Sequence, residues 1–364
     1  MKSEIKTAII LAVAIGVGIV AISVAFSTLD QASVVNIGGD STQIDKSEFK
    51  KAPDLVGIAH YLNTTPEELA QVIEGKVVLY DIWTYSCINC IRTLPYITAW
   101  DDKYADQGLL IIGIHSPEFE FEKVPENVQM SIEKHGINYP VVMDNDMETW
   151  QAFENRYWPR KYIADHEGYI RFDHIGEGAY KETEEVIQLL LKERANAVGS
   201  TIQEKELVNL DEFEHATFRT PELYFGYKFA EGRNQLGSQE GFSKNNIVNY
   251  QLPDQFKQHY FYMDGMWENN KDGMKLAGDS GKIVLNFNAK QVNIVADGNA
   301  ILKIEYDGGI IPIDSRGYDI NSNGEVIISE PRLYNLIELD QEGPHEIIIK
   351  VAEPNFEIFT FTFG

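Results

Sequence analysis

Residues Thr7 to Phe26 carry no charge, and Lys2 and Lys6 precede them. About 20 apolar residues are what a helix needs to cross a bilayer, and flanking lysines favour the cytoplasmic side. The pattern predicts an N-terminal transmembrane anchor within residues 1–28, with the bulk of the chain outside the cytoplasm. The competing expectation is a signal peptide cleaved near Ser23-Val24-Ala25, which exports the chain equally. Residues 29–50 are polar and aperiodic, so they read as a tether.

Over residues 51–196 the period switches back and forth. VVLYDIW (77–83), LLIIGIH (109–115), YPVVM (139–143), RKYIA (160–164) and YIRFDHI (169–175) are short apolar runs that predict strands. Between them, helices are predicted over 87–108, 125–135, 147–156 and 182–195. A further short helix starts after Thr65, where Pro66 and Glu68 supply a first-turn proline and a capping box. Such alternation predicts an α/β unit, a central sheet flanked by helices on both faces. Residues 197–214 have linker character. From 215 to 364 helices are scarce and short alternating runs recur, among them KIVLNFNA, QVNIVA, ILKIEY, HEIIIKVAE and FEIFTFTFG. Asp307-Gly308-Gly309 and Asn323-Gly324 supply turns, and the expectation is an all-β, jelly-roll-like sandwich.

The 364 residues suit two domains. A formal net charge of −25 excludes a nucleic-acid partner, because phosphate binding needs a basic face. The chain has 2 cysteines, Cys87 and Cys90 in WTYSCINC, and 8 scattered histidines. That inventory cannot build an all-cysteine zinc site or a disulfide framework, so no metal and no cofactor are expected. Two cysteines two residues apart at a helix start suit the making and breaking of one disulfide. Cys87, at the N-terminus, gains most from the helix dipole and is the expected attacking thiolate. Cys90, one turn further in, is the expected resolving thiol.

The run DIWTYSCINCIRTLP resembles the thioredoxin active-site pattern. Asp81 lies six residues before Cys87, Trp83 four before it, and Pro95 five after Cys90. The resemblance implies that Asp81 is buried behind the disulfide and handles the resolving thiol's proton. It also implies that Pro95 kinks the active-site helix and that Trp83 flanks the groove. WPRKYIADHEG is similar to the family's proline–strand–turn segment, which implies a cis-proline at Pro159 and a substrate groove shaped by Pro159 and Trp158. The longer set GIHSPEFEFEK, YPVVMDND, YWPRKY and GEGAYKETE resembles the extracytoplasmic part of DipZ-type thiol–disulfide proteins. These are close to the TlpA-like and redoxin groups and carry a β-sandwich similar to a carbohydrate-binding module. The implied activity is thiol–disulfide exchange on protein thiols, with electrons passed to or from a separate membrane or extracytoplasmic redox partner.

Two other classes compete. A peroxiredoxin-like peroxidase is suggested by Thr84, three residues before Cys87, although Tyr80 stands where that pattern has proline. A glycan- or protein-binding module is suggested by Tyr224, Tyr227, Tyr250, Tyr260, Tyr262 and Trp267, although aromatics also fill sandwich cores. Residues 319–330 match a calcium-loop spacing, but the flanking β runs and Asn323-Gly324 favour a hairpin turn. Asn63-Thr64-Thr65 is a glycosylation sequon. Glu118, Glu120 and Glu122 form a carboxylate cluster after the strand of His115 that could sit near the disulfide and raise thiol pKa values, although a solvated loop is the favoured expectation.

Overall fold

The computed structural model describes residues 45–203, 205–213 and 219–364. The expected anchor and most of the tether lie outside the described residues. Among those described, no helix is long and apolar enough to cross a membrane.

The first unit runs β1 (His60–Leu62), α1 (Pro66–Val72), β2 (Val77–Trp83), α2 (Ile88–Tyr104), β3 (Leu109–His115), α3 (Pro125–Lys134), β4 (Val141–Met143), α4 (Glu148–Ala152), β5 (Arg160–Ala164), β6 (Ile170–Ile175) and α5 (Tyr180–Val198). The sheet order is β1-β4-β3-β2-β5-β6. β2, β3 and β4 are parallel, and β1, β5 and β6 run antiparallel to their neighbours. Every residue of β2 is buried, as a central strand covered on both faces must be. Val77, Leu79 and Trp83 pack toward α2 and α5, while Val78, Tyr80 and Ile82 pack toward α1 and α4. α1 begins as its sequence predicts, with Thr65 Oγ1 accepting from Glu68 N–H (3.2 Å) and the Glu68 carboxylate accepting from Thr65 N–H (3.0 Å).

The second unit is all-β. Its strands form one continuous 11-stranded sheet rather than two separate ones. The reason lies in residues 274–288. Met274 and Lys275 pair with the strand at 357–363, then a register shift between Leu276 and Gly281 turns the remainder toward the strand at 344–351. The sheet thereby wraps one core, shared by Ile304 and Ile349 from one end and Ile294 and Tyr334 from the other. Leu223–Tyr224 forms a two-residue strand, and a short helix follows at Tyr227–Ala230.

Aromatic burial decides the sugar-stacking question for most of the candidate rings. Tyr224, Tyr250, Tyr262 and Trp267 are buried, so their faces pack protein. The calcium-type spacing is also absorbed by protein contacts. Asp319 pairs with Arg332 (2.9 Å), Glu330 pairs with the same guanidinium (2.9 Å), and Asn321 caps the turn through Asn323 and Glu325 N–H. The sequon amide of Asn63 donates to the carbonyls of Ile137 (2.9 Å) and Tyr139 (3.2 Å), an internal use of that side chain.

Residues 116–124, following β3, do not form a solvated loop. Phe119 and Phe121 pack on Phe359 of the all-β unit, with ring centroids 5.3 and 4.7 Å apart. Tyr85 donates to the carbonyl of Pro331 (3.0 Å), and Glu120 N–H donates to Asp272 (3.1 Å). The all-β unit therefore sits on the end of the α/β unit that carries the cysteines.

Candidate active site

β2 delivers the chain to Cys87, which has extended backbone and caps α2, its Sγ accepting from Cys90 N–H at 3.4 Å. Cys87 is partly exposed and Cys90 is buried. Burial, followed by the hydrogen bond to Cys87, pushes the Cys90 thiol well above its ordinary range. The pair is thus asymmetric, with one reachable sulfur and one sheltered sulfur that resists ionisation. Pro95 lies inside α2 on an exposed position, and the helix continues through it.

Alternation along β2 puts Asp81 on the same face as Trp83, toward α2. The carboxylate is buried, and burial lifts its pKa to about 7. Its cross-strand neighbour on β5 is Lys161, also buried, whose amine is pulled down to about 8 by desolvation and donates to the carbonyl of Gly176 (3.2 Å). The sequence did not single out Lys161, which hides within the apolar run RKYIA. A lone lysine pairing opposite a buried acid was the available signal.

The Trp158–Pro159 peptide bond is cis. Trp158 is half-buried, donates from Nε1 to the carbonyl of Ser116 (2.9 Å), and lies beside Trp150. Pro159 is buried. Trp83, placed at the groove by resemblance, is fully buried and edge-on to His115, so it belongs to the core and not to any groove wall. His115 is itself buried, and desolvation depresses its pKa to about 3, so it stays neutral.

Glu122 is the residue the sequence hid best. Fully buried, it accepts from Ser86 Oγ (2.6 Å), Glu118 N–H (2.6 Å) and Phe119 N–H (2.9 Å), which ties the segment after β3 to the residue before Cys87. The apolar–acidic alternation of EFEFE was its only trace in sequence.

A cavity of about 180 Å³ opens at Cys87, with Asn89 and Trp158 on the α/β side and Glu222, Tyr224 and Phe363 of the all-β unit opposite. A reachable thiol, a sheltered thiol and a buried carboxylate are the parts that thiol–disulfide exchange requires.

Comparison with known proteins agrees with this chemistry. Residues 50–173 match the AhpC/TSA family, and residues 220–364 match the family described as a thioredoxin-like C-terminal domain. Protein DipZ of Mycobacterium tuberculosis is 32% identical over 316 residues, covering 86% of this chain and 43% of DipZ, so the chain spans less than half of that relative. Thiol-disulfide oxidoreductase YkuV of Bacillus subtilis is 32% identical over 143 residues, covering 39% of this chain and 94% of YkuV. A solution structure of an oxidized thioredoxin-like protein is 31% identical, covering 40% of this chain and 97% of that one with a TM-score of 0.36. The chain belongs to the thioredoxin-like thiol–disulfide oxidoreductases.

Proposed function

We propose that this protein is a membrane-tethered, extracytoplasmic oxidoreductase that exchanges disulfides with protein thiols through Cys87 and Cys90. The observation that carries the reading is the asymmetry of the pair over a buried acid. Cys87 attacks a substrate sulfur and forms the mixed disulfide. Asp81 takes the proton from Cys90, and the Cys90 thiolate then attacks Cys87 Sγ, so that the internal disulfide forms and the substrate sulfur leaves. Trp158 and Pro159 shape one wall of the groove, and the all-β unit supplies the other and docks the substrate. Cys87 and Cys90 exchange electrons directly with the membrane or extracytoplasmic redox partner that restores the pair.

Insulin reduction by the purified chain tests the chemistry. Cys87→Ser abolishes turnover, whereas Cys90→Ser accumulates a stable mixed disulfide; equal, partial losses in both variants would sink the assignment. The reduction potential then gives the direction, since values near about −270 mV mark reductases and near about −120 mV strong oxidants. Protease treatment of intact and permeabilised cells tests placement, and a chain protected in intact spheroplasts is not extracytoplasmic. A peroxidase is the second reading, favoured by the AhpC/TSA match. Saturating peroxide turnover without insulin reduction would select it.

A further inference from the structure

Tyr224 Oη lies 2.8 Å from Glu118 Oε1 and 2.8 Å from Glu222 Oε2. Glu118 comes from the segment after β3, and the other two come from the all-β unit, so the cluster forms only where the units meet. A phenol carries one hydrogen and can donate it to one acceptor at a time. The second short contact therefore requires a carboxylic O–H that donates to the phenol oxygen. Two carboxylates and one neutral phenol do not satisfy this geometry, whereas one carboxyl, one carboxylate and the phenol do. The cluster thus holds a proton in excess of two ionised acids.

Its surroundings keep that proton in place. Glu118 is buried, and desolvation, then the charges of Glu222 and Glu122, push its pKa well up. Burial raises Glu222 as well, against the opposing charges of Arg233 and Arg219. Lys228 donates to the backbone carbonyl of Glu118 (3.1 Å), and the Arg233 guanidinium lies 4.6 Å from the centre of the Tyr224 ring. All three members of the cluster line the cavity that opens at Cys87, and Asp81 does not.

We propose that the Glu118–Tyr224–Glu222 cluster is the acid for the substrate side of the exchange, with Glu118 delivering the proton to the sulfur that leaves Cys87. This rests on the oxidoreductase reading above. When the Cys90 thiolate attacks Cys87 Sγ, the Cys87–Cys90 bond forms and the bond to the substrate sulfur breaks, its electron pair going to that sulfur. An alkyl thiolate is a poor leaving group, and the proton from Glu118 makes it a neutral thiol. Solvent returns the proton to the cluster. In the reverse direction the same cluster accepts the proton of an incoming substrate thiol. Asp81 and Glu118 then divide the work, one serving the inner sulfur and the other the outer.

The test separates leaving groups. Reduced native protein and Glu118→Gln are mixed with glutathione disulfide or with 5,5′-dithiobis(2-nitrobenzoate), acid-quenched, and the mixed disulfide on Cys87 is followed by intact mass. The aromatic thiolate leaves without a proton. The variant is expected to resolve the glutathione adduct about 10²-fold more slowly than native protein, and the aromatic adduct only about threefold more slowly. Tyr224→Phe, which removes the bridge but no carboxyl, is expected to show the same selective slowing and serves if the glutamine variant does not fold. Equal slowing with both adducts, or with neither, overturns the cluster's role. Native protein that reduces neither disulfide overturns the oxidoreductase reading beneath it.

Discussion

Asp81 and Lys161 are direct partners across the β2–β5 ladder, and neither side chain reaches solvent. Their charges act on each other from within the sheet. The lysine lowers the acid's pKa and the acid raises the lysine's, while burial drives both the other way and dominates. The Asp81 Oδ1 atom has no hydrogen-bond partner among the described residues, so the Lys161 charge opposes the desolvation without a hydrogen bond to that oxygen.

The pH dependence of resolution follows from this. Asp81 must be ionised to take the Cys90 proton, so the rate at which a mixed disulfide resolves is expected to rise with pH and level off above about 7. Asp81→Asn removes that acceptor and is expected to slow resolution about 10²-fold at pH 7. Lys161→Met keeps the acceptor but removes the charge that favours its ionised form, so the midpoint of the profile shifts upward. Stopped-flow rates from pH 5 to 9 check both, and a downward shift in Lys161→Met would contradict the coupling.

The same acid carries a stability cost with a definite sign. Its folded pKa, about 7, lies above the ordinary 3.8, so the folded protein binds more protons than the unfolded chain between those values. Stability therefore falls as pH rises through that window, and above pH 7 the rise from 3.8 to about 7 costs about 4 kcal/mol. In a Lys161→Met background, where no buried cation is left unpaired, Asp81→Asn is expected to melt higher than the protein that keeps Asp81 at pH 8, by roughly 5 °C or more, with the two converging near pH 4. Calorimetry at both pH values checks this, and a less stable variant at pH 8 refutes the buried-acid account.

The central strands were legible because burial on both faces leaves an uninterrupted apolar run, and the start of α1 because its cap is written in four adjacent residues. β1 was not, since HYL is three residues long and its pairing to β4 is a long-range event. The strand at 274–288 was only half visible, because Gly278-Asp279-Ser280-Gly281 marks its bend with residues that read as a loop. At the site, Cys87 and Cys90 stand two residues apart in one strand–helix unit and their spacing marks them, whereas Asp81 entered through the resemblance to the thioredoxin pattern. Lys161, Glu122, Glu118 and Tyr224 reach the site from other elements, and no local pattern encodes that meeting. Trp83 shows the opposite error, a motif residue whose role is packing. EFEFE was misread because its glutamates are charged, yet Glu122 is satisfied by backbone N–H groups and a serine that only the fold supplies.

Glu122 is expected to position Cys87 through Ser86. Glu122→Ala leaves the Ser86 hydroxyl and the N–H groups of Glu118 and Phe119 without their acceptor, at about 1–3 kcal/mol for each buried group left unpaired. Glu122→Gln keeps an acceptor oxygen and is expected to recover most of the stability. Denaturant unfolding of the two variants, with iodoacetamide trapping of Cys87 as the readout of the loop, distinguishes positioning from bulk. Identical behaviour of alanine and glutamine variants would count against it.

The join between the units makes the last prediction. Phe359 packs against both Phe119 and Phe121 and is buried with Tyr224 and Val295 in a cluster drawn from both units. Phe359→Ala removes the ring and leaves a cavity, a change that costs about 3–5 kcal/mol in a well-packed site. Because Phe119 and Phe121 belong to the segment that Glu122 ties to Ser86, the loss is felt on both sides of the join. The variant is expected to melt lower and to be cut more readily by protease in residues 205–213. It is also expected to lose more activity on insulin than on a small disulfide, because only the protein substrate needs the second wall. Phe359→Leu, which keeps most of the volume, is expected to fall between alanine and native protein. Equal losses on insulin and on the small disulfide would mean that the all-β unit stabilises the site without shaping what it accepts.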